Sequence, residues 1–175
     1  DYIGLFGSLF AIGMGSGNIS NLGVRGQITG NNNVGLLAGS GQTSIVRGAF
    51  ANGVVTGTAN VGGLIGTAAQ GIVNDCYAIG TVEGSSSYIG GLTGRIDGGR
   101  IDNSYAQVSV VGGARTGGLV GGGVSGIILN SYTKGSVSGN SVGGLVGFDR
   151  STEINDSYST MDVMGGSSVG GIAGF

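Results

Sequence analysis

Five aromatic residues recur at one position of a repeating pattern: Phe50, Tyr77, Tyr105, Tyr132 and Tyr158, at steps of 27, 28, 27 and 26 residues. A row of phenol rings could stack against sugars. It could equally form an aromatic ladder that packs one repeat on the next, with hydroxyls at its edge. Recurrence in every copy favours the ladder, because a site usually breaks a repeat. Two residues earlier stands an amide or acid: Asn21, Asp75, Asn103, Asn130 and Asp156. Such a row could hold Ca²⁺, which wants several converging oxygens. The column mixes Asn with Asp, however, and the Gly-Gly-x-Gly-x-Asp pattern of calcium-binding repeats is missing. The simpler expectation is a turn ladder whose side chains bond nearby backbone or each other.

Between these columns lies a small residue: Ala49, Cys76, Ser104, Ser131 or Ser157. Cys76 is the one cysteine and the chain has no His. A thiol without a base to activate it is expected to be a small buried side chain rather than a nucleophile. The lack of His also removes the commonest general base and metal ligand. Asp149, Arg150 and Glu153 form the densest charge cluster, and paired carboxylates can cleave glycosidic bonds. The nine acids are nonetheless scattered between columns. Asp97–Asp102 reads as a polar turn, and Gly121–Gly126 lacks the Gly-Lys-Ser/Thr of a phosphate-binding loop. No catalytic residue, metal ligand or cofactor is therefore assigned.

The repeat that positions these columns has a second part. A hexad recurs as Val61–Gly66, Ile89–Gly94, Thr116–Gly121, Val142–Gly147 and Val169–Gly174, with weaker copies at Tyr2–Gly7 and Val34–Gly39. Its final Gly falls at 7, 39, 66, 94, 121, 147 and 174, so that all steps but the first are 26 to 28 residues. Each copy holds short β-branched runs broken by Gly, Asn, Asp and Ser, which are strand and turn signals. No 3.6-residue period persists. A unit of about 27 residues cannot bury its own apolar side, but stacked copies can. These features predict an all-β fold, a parallel β-solenoid (β-helix) of about six coils with about 27 residues per coil. Residues 1–175 form one such segment, with coils at 2–33, 34–60, 61–88, 89–115, 116–141 and 142–168 and a partial coil at 169–175.

Composition narrows the field. The chain has 43 Gly and no Pro among 175 residues, without the every-third-Gly period of collagen. It is 39 % hydrophobic, unlike a disordered Gly-rich linker. A net charge of −2 from seven basic and nine acidic residues argues against nucleic-acid binding through a basic surface. No apolar run approaches the roughly 20 residues of a membrane-spanning helix. The opening Asp1–Gly4 has neither Met nor a basic stretch, so a signal peptide is expected to be absent or already removed. The chain is expected to be a segment of a longer protein.

The glycines pose an energetic problem, since each one inside a strand costs about 0.5–1 kcal/mol relative to Ala. Side-chain parity in the hexad adds another. In an unbroken strand Val142, Gly144 and Val146 point one way and Gly143, Leu145 and Gly147 the other. The Leu row, Leu64, Leu92, Leu119 and Leu145, is then either covered within the coil and its neighbours or left as a lateral contact with another molecule or segment.

The hexad Val142–Gly147 and the run Asn130–Gly139 together resemble the GLUG motif family. The resemblance extends from about residue 19 to 175 and is clearest from Val61 onward. The first coil departs from it as an atypical terminal coil, with no double Gly in its hexad and Gly23 in the aromatic position. The resemblance implies tandem repeats of a large secreted or surface-attached bacterial protein, adhesin-like or an accessory region of a peptidase. It brings no catalytic residues. The expected role is a non-catalytic extracellular or cell-surface module: a rigid stalk, fibre or adhesive segment. Its expected partners are other segments of the parent chain or like molecules, stacked laterally or end to end. The alternative is a solenoid face that binds glycan, through Tyr77, Tyr105, Tyr132 and Tyr158, or ice.

Overall fold

A computed structural model describes residues 1–10 and 17–174; residues 11–16 of the first coil and Phe175 of the last partial coil lie outside the described residues. The described chain contains strands and corners only, wound as a parallel β-solenoid. Each full coil lays down four short strand segments on three faces. Face one runs through Ala38–Gln42, Ile65–Ala69, Thr93–Asp97, Val120–Val124 and Val146–Arg150, with Phe6–Phe10 at its start. Face two stacks three-residue strands such as Ile72–Asn74, Arg100–Asp102 and Ile127–Leu129. Face three is wider. It begins with Tyr77–Gly84 or Tyr105–Val111 and continues through Ser87–Gly90 or Arg115–Gly117. In the last two coils those pieces fuse into Tyr132–Gly143 and Tyr158–Gly170.

All pairings between coils are parallel, and like columns meet. Tyr77 pairs with Phe50 and Tyr105, and Tyr132 with Tyr105 and Tyr158. The atypical first coil keeps this register, with Gly23 opposite Phe50 and Ile28 opposite Val55. A terminal strand therefore accepts the pattern without its aromatic. The reason is local: the Phe50 ring fills the volume a side chain on Gly23 would need.

Two corners are set by residues in the left-handed region. Between faces two and three stand Asn21, Gly48, Asp75, Asn103, Asn130 and Asp156, with φ between 48° and 59°. Asn and Asp enter this region more readily than other side chains, and Gly at no steric cost, which explains the composition of the column. Between faces one and two the same task falls to Thr43, Gln70, Gly98, Ser125 and Ser151.

The third corner is the hexad itself, and it revises the parity expectation. The strand halts at Gly143 and resumes at Val146, with Gly144 and Leu145 turning the chain. Alternation restarts after the corner. Val142, Leu145 and Val146 all therefore point into the same core and are fully buried. Leu64, Leu92 and Leu119 are fully buried in the same way. The lateral-contact alternative for this row is thus corrected: Leu64, Leu92, Leu119 and Leu145 are core, because a bend and not a continuous strand carries them. They join Val46, Val73, Ile101 and Ile128 from face two and Val55, Val82, Val110 and Val137 from face three in one core along the axis.

Close approach accounts for the hexad glycines. In Thr116–Gly121, a Cβ on Gly117 would overlap the Val120 carbonyl across the corner. One on Gly118 would overlap the Gly144 carbonyl of the next coil, and one on Gly121 the Tyr88–Ile89 backbone of the preceding coil. None of these three has positive φ. They are glycine because backbone packs on backbone there, which lets the coil turn with a single Leu as filling.

Candidate functional site

The aromatic column is a continuous stack. Ring centroids of Phe50, Tyr77, Tyr105, Tyr132 and Tyr158 are 5.1, 4.9, 4.9 and 5.2 Å apart, with interplanar angles of 2° to 7°. In-register strands impose this spacing, since neighbours lie roughly 4.8 Å apart. Each inner ring has a neighbour on both faces and is half-buried; Tyr158, in the last coil, is 55 % exposed. The ring faces of Tyr77, Tyr105 and Tyr132 are therefore occupied, and only their edges reach solvent. Burial, and then the neighbouring phenols of Tyr132 and Tyr77, raise the pKa of Tyr105 above its ordinary value.

Beside the stack runs the amide and acid column. Asn103 Nδ2 donates to Asp75 Oδ1, and Asn130 Nδ2 donates to Asp102 Oδ1 at 3.1 Å. Hydrogen bonds from Arg100, first, and from Asn130 lower the Asp102 pKa. One bond thus joins two members of the column, and Asn130 reaches instead to the residue that precedes Asn103. A shallow groove of about 330 Å³ separates this column from the tyrosines, lined by Asp75, Tyr77, Asn103, Tyr105, Asn130 and Tyr132. Among the described residues, no three His, Cys, Asp or Glu come together as a metal site would require.

The small-residue column forms a buried hydroxyl ladder. The backbone N–H of Cys76 donates to Ser104 Oγ at 3.1 Å, that of Ser104 to Ser131 Oγ at 3.2 Å, and that of Ser131 to Ser157 Oγ at 3.1 Å. Each hydroxyl donates in turn to the carbonyl two residues back, as with Ser104 Oγ to Asp102 O at 2.8 Å. Cys76 Sγ makes the matching bond to Asn74 O at 3.1 Å. Burial pushes its thiol up to about 11, opposite to what nucleophilic use requires.

One cluster escaped the column reading. On the border of faces one and three, Arg95, Tyr88, Arg115, Phe148 and Arg150 alternate as a stack. Guanidinium-to-ring distances are 5.2 Å for Arg95–Tyr88, 4.9 Å for Arg115–Tyr88, 4.4 Å for Arg115–Phe148 and 5.8 Å for Arg150–Phe148. Arg115 Nη1 also donates to the Tyr88 hydroxyl at 2.6 Å. Gly122 makes room for it, since a Cβ there would strike the Tyr88 ring. The earlier coils carry Ser40, Thr67, Asn33 and Asn60 on this border, where Asn60 Nδ2 and Thr67 Oγ1 both donate to Asn33 Oδ1. The signal in the sequence was the break itself: Phe148 ends a column that reads Ser40, Thr67, Arg95, Gly122.

Together these ladders define a parallel β-solenoid repeat module. The family model of the GLUG motif matches residues 57–83 and 85–111, two adjacent repeats, in agreement with the resemblance of the hexads. No curated protein and no solved structure matches the chain.

Proposed function

We propose that the chain is a non-catalytic, extracellular repeat segment of a large bacterial surface or secreted protein, serving as a rigid stalk or spacer between other parts of that protein. The observation that carries this reading is the parallel pairing of like columns from coil to coil, shifted only at the bulges by Tyr88 and by Gly166–Ser167, with a single core along the axis. A rod built this way resists bending, because tilting one coil on the next strains three sheets at once. The GLUG repeats at 57–83 and 85–111 support a tandem-repeat setting. The tyrosine rings support packing over sugar stacking, since their faces cover one another.

Partners are sought at the coil ends. At the last described coil the same columns stand open, with Tyr158, Met164, Val169 and Ile172 exposed. An adjoining coil of the parent chain or a like molecule stacked end to end would cover them. The test is an antibody raised against the chain and applied to intact and to permeabilised cells of the source organism. Labelling of intact cells is expected; labelling that appears only after permeabilisation would overturn the extracellular placement.

A further inference from the structure

We infer that the alternating Arg95–Tyr88–Arg115–Phe148–Arg150 stack is a binding stripe for a linear acidic polysaccharide whose carboxylates lie along the solenoid axis. The inference stands apart from the spacer reading, because it concerns one border of three coils and would hold in any setting of the rod. Three of the chain's seven basic residues gather here, although the molecule as a whole is net negative. Arg95 is paired with Asp97 at 2.9 Å. Arg115 and Arg150 have no ion pair among the described residues. Of the two carboxylates beside Arg150 in sequence, Asp149 Oδ1 accepts a hydrogen bond from the Thr152 N–H at 2.8 Å and Glu153 Oε1 accepts one from Asn155 Nδ2 at 2.6 Å.

The rings fix what can bind. Two guanidiniums lie over the Tyr88 ring and two over the Phe148 ring. Neither nucleobases nor the C–H faces of neutral sugars can stack on them, so recognition falls to the guanidinium N–H edges. Those edges match carboxylates in a fixed fork geometry, which an ammonium would not. Arg95 and Arg115 stand in adjacent coils, as do Arg115 and Arg150, and each pair of guanidiniums is parted by one ring and lies at most about 10 Å apart. An extended acidic peptide would find no free backbone edge on this border, where the strands pair from coil to coil. Ser87 and Ser141, the register partners of Arg115, add hydroxyls that suit a sugar.

The test uses the full chain at low ionic strength in affinity electrophoresis against polygalacturonate, its neutral methyl ester, poly-L-glutamate and single-stranded DNA. Retardation by polygalacturonate alone is expected, abolished at about 1 M salt, where the screening length falls to about 3 Å. Arg115→Gln should weaken it about tenfold or more, and Arg115→Lys by less. Arg150→Gln, at an exposed position, should weaken it without touching the fold, and Arg47→Gln, on face two, should leave it unchanged. Equal retardation by the methyl ester, stronger binding of poly-L-glutamate or DNA, no binding to any of the four, or unaltered binding by Arg150→Gln and Arg115→Lys would each overturn the inference.

Discussion

At the scale of single residues, columns name the environment and exceptions test it. Thr116 stands where other coils have Val34, Val61, Ile89 and Val142, and its buried hydroxyl has no hydrogen-bond partner. Removing an unsatisfied buried donor without changing shape relieves its desolvation cost. Thr116→Val should therefore raise stability by about 1 kcal/mol in urea unfolding at pH 7. Cys76 offers a second case. Its thiol titrates near 11 in the fold against an unfolded value of 9.0, so the native state holds the proton more tightly. Its contribution is complete below pH 9 and is lost as pH rises through 11, about 2–3 kcal/mol for a shift of this size. Denaturation curves from pH 8 to 11.5 should fall less steeply for Cys76→Ser. At pH 7 the two proteins should differ by no more than about 1 kcal/mol, because Ser is the native ladder residue in three other coils. Tyr105, raised in the same sense, contributes to the residual slope of both proteins.

At the scale of the strand and corner, the hexad decides the path of the chain. Gly117→Ala forces a Cβ into the Val120 carbonyl and should cost several kcal/mol, whereas Gly171→Ala has open space and should be neutral or stabilising by up to about 1 kcal/mol. The two variants compared by thermal unfolding separate lack of room from mere loss of glycine. Leu119→Ala should cost about 2–5 kcal/mol while leaving the sedimentation behaviour unchanged, as a buried filler and not a contact residue would. Much of this level was legible in advance. Near-equal spacing of Tyr105, Tyr132 and Tyr158 is a statement about register, since only stacked coils bring them together. The burial of Leu145 was not decided, because parity holds only inside a strand and the bend at Gly144 lies in the middle of the motif. The arginine and aromatic stack was equally hidden. Arg95 and Phe148 share one column on face one while Tyr88 and Arg115 lie on face three, so alignment by columns separates residues that folding brings side by side.

At the scale of the whole molecule, the account rests on coils lying directly upon one another one repeat apart. Ser109 and Ser136 are partners in that register, with hydroxyl oxygens 3.2 Å apart. Paired parallel strands bring Cα atoms to about 4.8 Å, within the range a disulfide accepts. The direct measurement is oxidation of Ser109→Cys/Ser136→Cys in a Cys76→Ser background, beside a chain carrying Ser109→Cys/Ser138→Cys, whose sites are two residues out of register. Near-complete intramolecular disulfide in the first chain, and little in the second under the same mild oxidant, is the predicted result. Equal oxidation of both, or no bond in the registered pair, would contradict the stacked-coil structure.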